Sequence, residues 1–417
     1  MAKIRKTAVV QSKPAEEKEP AVNKYFILVS ERYMRAKYAT IIVLALFLAV
    51  VLILFRSDIT YANLMYLLRD FNTGEAVYTS VFDPIRYDEQ DNMSFAVYRG
   101  ELAVIGNRNL RLYNSKGEEN RSYSLGYSDP VIISSDKYLL VHDIGTESYS
   151  LFTSIAKVND GVATGSIEGA DINDNGEYLL VCKSTETKYV VSTFDSSFRP
   201  IANYYKNSYV TSAAIGDDGT TVIASFRGDG DGYSCEIDFY PDGAEEPSGV
   251  YTAAGVFPVK CGVWDDGRAY VICSDRVLFF DKGGKLASTY ESWSGFTAYA
   301  EGNNSLAVSR SEDAIGSDSD AVVFNTTGET IFTKTIDGKI SSLAITDKTL
   351  FVLAGNNVSM IPVAGGDIIT ESVDDAGAEL VASDASVILC GRNSAIGLVF
   401  DNNADVPVTS AVTNEQN

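Results

Sequence analysis

Eight times along this chain a polar turn leads into a short apolar run, and nothing else in the sequence narrows the possible folds as far. The copies are YRGELAVIGN (98–107), SSDKYLLVHD (134–143), NDNGEYLLVCKS (173–184), GDDGTTVIASFR (216–227), WDDGRAYVICSD (264–275), EGNNSLAVSR (301–310), TDKTLFVLAG (346–355) and SDASVILCGR (383–392). Their apolar runs start at Leu102, Tyr138, Tyr178, Thr221, Ala269, Leu306, Leu350 and Val387, which lie 36 to 48 residues apart. Short runs of this kind, bounded by Asn, Asp, Ser and Gly and without a helical period, read as buried strands. A mean spacing of about 41 residues is that of a four-stranded propeller blade.

The remainder of each unit supports four strands. Before the turn stands a strand of small or β-branched residues, such as VTSAAI (210–215) or SSLAI (341–345). After the buried strand comes one expected to alternate, such as RVLFFD (276–281) or DAVVFN (320–325). A turn with Gly then opens a polar outer strand, as in NSKGEENRSYSL, DKGGKLASTYE, NTTGETIFTKTI and AGGDIITESV. Hydrophobicity that falls from inner to outer strand suits a sheet covered on both faces by its neighbours. The eighth repeat, AELVASDASVILCGRNSAIGLVFD (378–401), lacks an outer strand, and PIRYDE (84–89) is a strand without a partner. Joining the two closes the ring and removes both exposed edges. The expectation is an all-β chain: a β-propeller over 84–401, with eight blades and seven as the alternative. The polar tail 402–417 reads as disordered.

Upstream lies YATIIVLALFLAVVLILF (38–55), with no charge, Gly or Pro. As a helix it spans roughly 27 Å, enough to cross a hydrocarbon core. Residues 1–37 carry nine Lys/Arg against four Glu, whereas residues 57–417 carry 24 Lys/Arg against 52 Asp/Glu. The basic flank predicts a cytoplasmic N-terminus. Leu52–Ile53–Leu54–Phe55 offers no small-residue cleavage site, so the segment reads as an uncleaved signal anchor of a single-pass membrane protein rather than a removed leader. An acidic body repels phosphate backbones, which argues against nucleic acid as a partner. Between anchor and ring, 56–83 reads as a linker in which SDITYANLMYLLRDFNTG (57–74) forms a short amphipathic helix.

DINDNGEYLLVCKS (171–184) opens like a calcium loop, with Asp171, Asn173 and Asn175 two apart and Gly176 next. The twelfth loop position, where calcium takes a bidentate Glu, holds Cys182. The same letters align with GDDG (216–219) and WDDG (264–267), each opening a buried strand, so the stretch reads as a tight turn and no metal site is expected.

The repeats NDNGEYLLV and WDDGRAYVI resemble those of the WD40-like and TolB-like propeller superfamily. The layout as a whole resembles an uncharacterised family of single-pass membrane proteins of Firmicutes with a propeller-like ectodomain. The ectodomain is also similar in outline to quinoprotein-type propellers. Their recurring Trp motif is absent, since Trp264 and Trp293 are the only tryptophans, and no quinone or other cofactor is expected.

Catalytic signals are sparse. His142 is the only histidine, which leaves little room for a Ser-His-Asp triad or a multi-histidine metal site. Cys182, Cys235, Cys261, Cys273 and Cys390 are odd in number, are not spaced as metal pairs and recur at strand positions, so they read as small core packers. Arg227–Gly228–Asp229 spells an adhesion tripeptide that loop composition alone explains. No catalytic residue is assigned.

In a propeller, the outer-to-inner connections share one rim with the loops after each second strand. LGYSDP, NYYKNSY, VYTAAGVF and YESWSGF bring aromatics there, and FRGDGDGYS and RSEDAIGSDSD bring carboxylates, including Glu312 and Asp313. The candidate binding residues are Tyr204, Tyr205, Tyr209, Tyr251, Trp293, Asp229, Asp231, Asp318 and Asp320. Aromatics ringed by carboxylates suit an envelope protein, a cationic peptide or a wall polymer. The expected function is a non-catalytic binding, scaffold or sensor module outside the cytoplasm; the alternative is an envelope polysaccharide hydrolase or lyase. The orientation is testable: a C-terminal reporter fusion should be active only outside the cytoplasm, and a cytoplasmic signal would reverse it.

Overall fold

A computed structural model describes residues 24–54, 84–87, 93–106, 108–114, 117–135, 137–153, 156–230, 232–311, 318–373, 379–383 and 386–398. The whole of the 56–83 linker, with the helix expected at 57–74, and the polar segments 1–23 and 402–417 lie outside these residues. The chain divides into two compact units, Met1–Leu64 and Met65–Asn417.

Among the described residues the first unit contains one α-helix, Lys24–Leu54. It starts well before the uncharged run, because KYFILVSERYMRAK holds no Gly or Pro and is rich in good helix formers. Within it, Val29–Val50 has a mean hydropathy of 1.6 and none of it is buried. A 22-residue segment of that kind is long and apolar enough to cross a bilayer.

The second unit is an eight-bladed propeller of four-stranded antiparallel sheets. Sheets one to seven each use four consecutive strands and cover 94–124, 130–162, 167–206, 209–254, 258–291, 298–337 and 340–372 in turn. The eighth is composite. Glu379–Ser383, Ser386–Cys390 and Ser394–Leu398 are completed by Ile85–Arg86, which pairs Ile85 with Ala395 and Arg86 with Ser394. Tyr87 adds two bonds to the seam, from its N–H to Asn393 O at 3.0 Å and from its Oη to Gly391 O at 2.8 Å. The seven-bladed alternative is thereby excluded, and the ring closes between its own ends as the sequence suggests.

Among the described residues the buried apolar side chains fall into eight clusters, each lying between two neighbouring sheets. Second strands such as Leu139–Asp143 and Ala269–Cys273 are buried throughout. Two third strands expected to alternate do not: Val277 to Phe280 and Ser319 to Phe324 are buried without a break. Sheets on both sides cover these strands, so neither face meets water. Alternation marks outer strands such as Gly249–Ala254 and Leu286–Glu291, and recurs on the inner strand Ala298–Gly302 and on Ser394–Leu398.

Two local devices hold the blades in register. The turns NDNG, GDDG and WDDG each use a residue with positive φ, supplied by Gly176, Gly219 and Gly267 at φ 83°, 78° and 77°. Asn173 is consumed by its turn: its Oδ1 accepts from the N–H of Asn175 and Glu177, and its Nδ2 donates to Gly216 O of the next blade at 2.9 Å. Asp217 then accepts from Asp174 N–H at 3.0 Å, which stitches blades three and four. Between inner strands, side-chain oxygens clip the following blade. Ser94 accepts from Ile132 N–H, Asp171 from Ile215, Ser212 from Cys261 and Ser342 from Leu380, at 2.9 to 3.2 Å.

The seam makes a test of closure. Ile85 is buried within the cluster between blades eight and one. Ile85→Ala should cost about 2–5 kcal/mol, read as a lowered Tm of the propeller; an unchanged Tm would mean that the ring does not depend on this strand.

Candidate functional site

The rim formed by outer-to-inner connections and by the loops after second strands gathers the aromatic candidates, but it treats them in two ways. Tyr204, at 4% exposure, packs its ring 4.0 Å from that of Tyr240. Tyr251 is half-buried with its ring against Phe280, and Tyr290 stands edge-on to Phe324. Tyr127 is buried and its hydroxyl bonds Ser150 Oγ at 2.7 Å. These side chains fill the gaps between blades.

Three candidates remain open to solvent. Tyr205 is 57% exposed, because on the outer strand Pro200–Lys206 it points away from its buried neighbour Tyr204. Tyr209 begins the next inner strand and is 46% exposed. Trp293 is 72% exposed. It sits on a turn in which Ser292 N–H donates to Asp275 O at 2.7 Å, Gly295 N–H donates to Ser292 O at 3.3 Å, and Gly295 has φ 70°. Single exposed apolar side chains are ordinary on protein surfaces, so Trp293 carries weight only together with the other open aromatics of this rim.

Tyr209 leads into a ladder that the sequence reading missed in part. Its ring stacks on Phe226 at 5.3 Å; Phe226 meets Phe257 at 4.7 Å, and Phe257 meets Tyr233 edge-on at 6.2 Å. Lys188 Nζ lies 3.8 Å from the centroid of Tyr209, a cation–π contact. Phe226 and Tyr233 flank the RGDGDG hairpin, and strand pairing across that hairpin was the available signal. Among the described residues no ring contact links Trp293 to this ladder.

The carboxylate candidates are not equivalent. Asp320 is buried; its Oδ2 accepts from Arg310 Nη2 at 2.9 Å and its Oδ1 from Thr335 Oγ1 at 2.8 Å. That ion pair removes it from the exposed set. Asp318 is half-buried at the start of its strand. Asp229 is described only as the backbone end of the strand Thr221–Asp229, while Asp231, Glu312 and Asp313 lie outside the described residues. Below the rim, Lys206 donates to Asp238 Oδ2 and, at 3.0 Å, to Tyr240 Oη. Burial opposes the lysine's charge, but these bonds prevail and hold its pKa above the ordinary range.

His142 is buried and burial pushes its pKa down to about 4, so it is neutral at physiological pH. All five cysteines are buried free thiols. Burial raises Cys182 to about 12 and Cys261 to about 11, which leaves no thiolate for nucleophilic chemistry.

Residues 76–395 match a family of unknown function, DUF5711. The chain belongs to that family. The DUF5711 propeller is similar to BamB from Moraxella catarrhalis, with a TM-score of 0.52 at 13% identity, over 77% of this chain and 99% of that one. It is also similar to the C-terminal WD40 domain of Sif2, with a TM-score of 0.56 at 12% identity, over 77% of this chain and all of that one. At such identities the likeness is one of fold. No curated protein sequence matches.

The two classes of aromatic separate on substitution. Tyr204→Ala should lower stability by about 3–5 kcal/mol in thermal or chemical unfolding. Trp293→Ala should change it by no more than about 0.5 kcal/mol; a large loss would make Trp293 a packing residue.

Proposed function

We propose that this DUF5711 chain is a membrane-tethered propeller that binds rather than catalyses, acting as a scaffold or sensor in the cell envelope. The observation that supports the reading is the set of exposed aromatics, led by Trp293 at 72% exposure on a braced turn. Tyr205, Tyr209 and the half-exposed ladder behind Tyr209 add aromatic surface on the same rim. Tyr and Trp are the side chains on which interface energy concentrates, since they bury large areas at low entropic cost. The acidic charge of the body favours partners with cationic groups. Support for placement comes from the apolar helix after a basic flank, read as an uncleaved signal anchor that leaves the propeller outside the cytoplasm. The BamB and WD40 likenesses support a propeller used as a binding platform.

The test uses the tagged full-length protein in its own membranes, with a photo-crosslinker placed beside Trp293. An envelope protein, peptide or wall fragment should be captured by the native chain. Capture should fall at least tenfold when Tyr205, Tyr209 and Trp293 are all changed to Ala. Absence of any enriched species, or equal capture by the triple variant, would sink the rim reading.

A further inference from the structure

Blade four carries an overhang on the aromatic rim. Its second and third strands, Thr221–Asp229 and Gly232–Tyr240, run nine residues each. Elsewhere in the ring second strands run five to seven residues and third strands five to eight. The flanking strands of blade four do not follow. The inner one stops at the pair Tyr209 and Phe226, the outer one at Ala254 and Ser234. Beyond them Gly228 pairs with Tyr233 and Asp229 with Gly232, a two-stranded ribbon standing clear of a four-stranded sheet. The inner strand starts late because the chain arrives from blade three, with Ser208 Oγ held on Ser225 Oγ at 2.9 Å.

An overhang of this kind presents free main-chain groups, and the alternation of the ladder tells which they are. Gly255 N–H donates to Tyr233 O at 2.8 Å, so Tyr233 turns its main chain to the outer side. Its opposite number Gly228 therefore points its N–H and C=O to the inner side, above the start of the inner strand at Tyr209. That is an edge an extended peptide can join.

The side chains beside this edge are sorted by face. Directly opposite residues share a face, so Tyr209, Phe226, Gly228 and Tyr233 all look toward blade five, as do Val222, Ala224 and Ile237 in the core below. Gly228 leaves a gap in this aromatic row, since a Cβ there would meet nothing within 4 Å; the same holds at Gly232. Other strand glycines of the ring are bare because something crosses them. The Tyr149 ring lies over Gly161 and the Tyr270 ring over Gly262, and Gly283 O stands 2.6 Å from where a Cβ of Gly249 would be. A strand glycine with open space above it suits the close approach of another backbone.

The opposite face is charged. Arg227, like Ser225 two residues before it, looks toward blade three and is exposed. From blade three the exposed Lys188 brings its Nζ 3.8 Å from the Tyr209 centroid. Among the described residues neither cation has an ion-pair partner. Residues 57–417 carry 24 Lys/Arg against 52 Asp/Glu, so two unanswered cations beside a free edge set this sector apart from the acidic body. They fix the sign of what it takes.

We propose that the edge at Gly228 binds an extended peptide of alternating apolar and acidic residues, added as an antiparallel strand. Its apolar side chains lie against Tyr209, Phe226 and Tyr233, and its acidic ones meet Arg227 and Lys188. The proposal rests on the reading of this rim as a binding face, and it names what the blade-four sector takes. The ladder also dictates which amides of the peptide matter. In an antiparallel pair the residues that exchange hydrogen bonds with Gly228 share its face, so the apolar residues make the bonds and the acidic ones do not.

The test titrates the full-length protein in detergent into the fluorescein-labelled peptide TEFEVET, read by anisotropy. TEFEVET should bind, and its lysine counterpart TKFKVKT should not. N-methylation of the phenylalanine and valine amides should weaken binding by about tenfold or more, and N-methylation of the glutamate amides by no more than about twofold. Arg227→Glu should weaken it by about fivefold or more. Lys334→Glu, at an exposed lysine on the outer strand Thr330–Asp337 of blade six, should leave it unchanged. Gly228→Pro removes the edge N–H but none of the hairpin's own bonds, and should abolish binding. The two N-methyl peptides and Arg227→Glu decide the matter should that variant fail to fold. No binding of TEFEVET, equal losses from the two N-methyl peptides, or preference for TKFKVKT would each overturn the proposal. Capture beside Trp293 reads the rim as a whole, so capture that persists beside a failed titration would condemn this site alone.

Discussion

Each sheet of this ring has two apolar faces, and only another sheet can cover them. That single requirement organises the molecule. It places eight core clusters between eight blades and buries second strands such as Leu139–Asp143 and Ala269–Cys273 on both sides. It also makes closure obligatory, since an open array would leave two faces in water. The chain meets the last demand with a strand of two residues, Ile85–Arg86, brought from the opposite end of the domain.

The fold was largely legible because its signal is local and repeated. A turn of Asn, Asp and Gly followed by five or six apolar residues marks each second strand, and eight copies correct one another. The partnerless strand at 84–89 was legible for a different reason: the eighth repeat lacks a part that the first seven have. The third strands were misread, because RVLFFD looks like alternation only if one face meets solvent. The helix start at Lys24 was missed because charge was taken as the boundary of a membrane segment, and charge does not stop a helix.

The site was less legible, for reasons of register. Tyr204 and Tyr205 are adjacent letters, yet the pleat sends one into the core and the other into water. Asp320 looks like any acid in a Ser/Asp-rich loop until its strand partner Arg310 is known. The stretch DINDNG is the reverse case: a resemblance to a metal loop dissolved once its siblings were aligned, and Asn173 spends its side chain on the turn.

The closing strand has a mechanical meaning as well as a thermodynamic one. It is the first strand of the ring in chain order, so tension applied to the chain from the N-terminal side arrives there before it reaches any other blade. Two residue pairs, the two bonds of Tyr87 and the buried side chain of Ile85 receive that load. The other seven blades, clipped strand to strand at several junctions, lie behind it in series. In such a layout the seam is the ring's fuse: force would open the circle at one known place and leave the remaining arc intact.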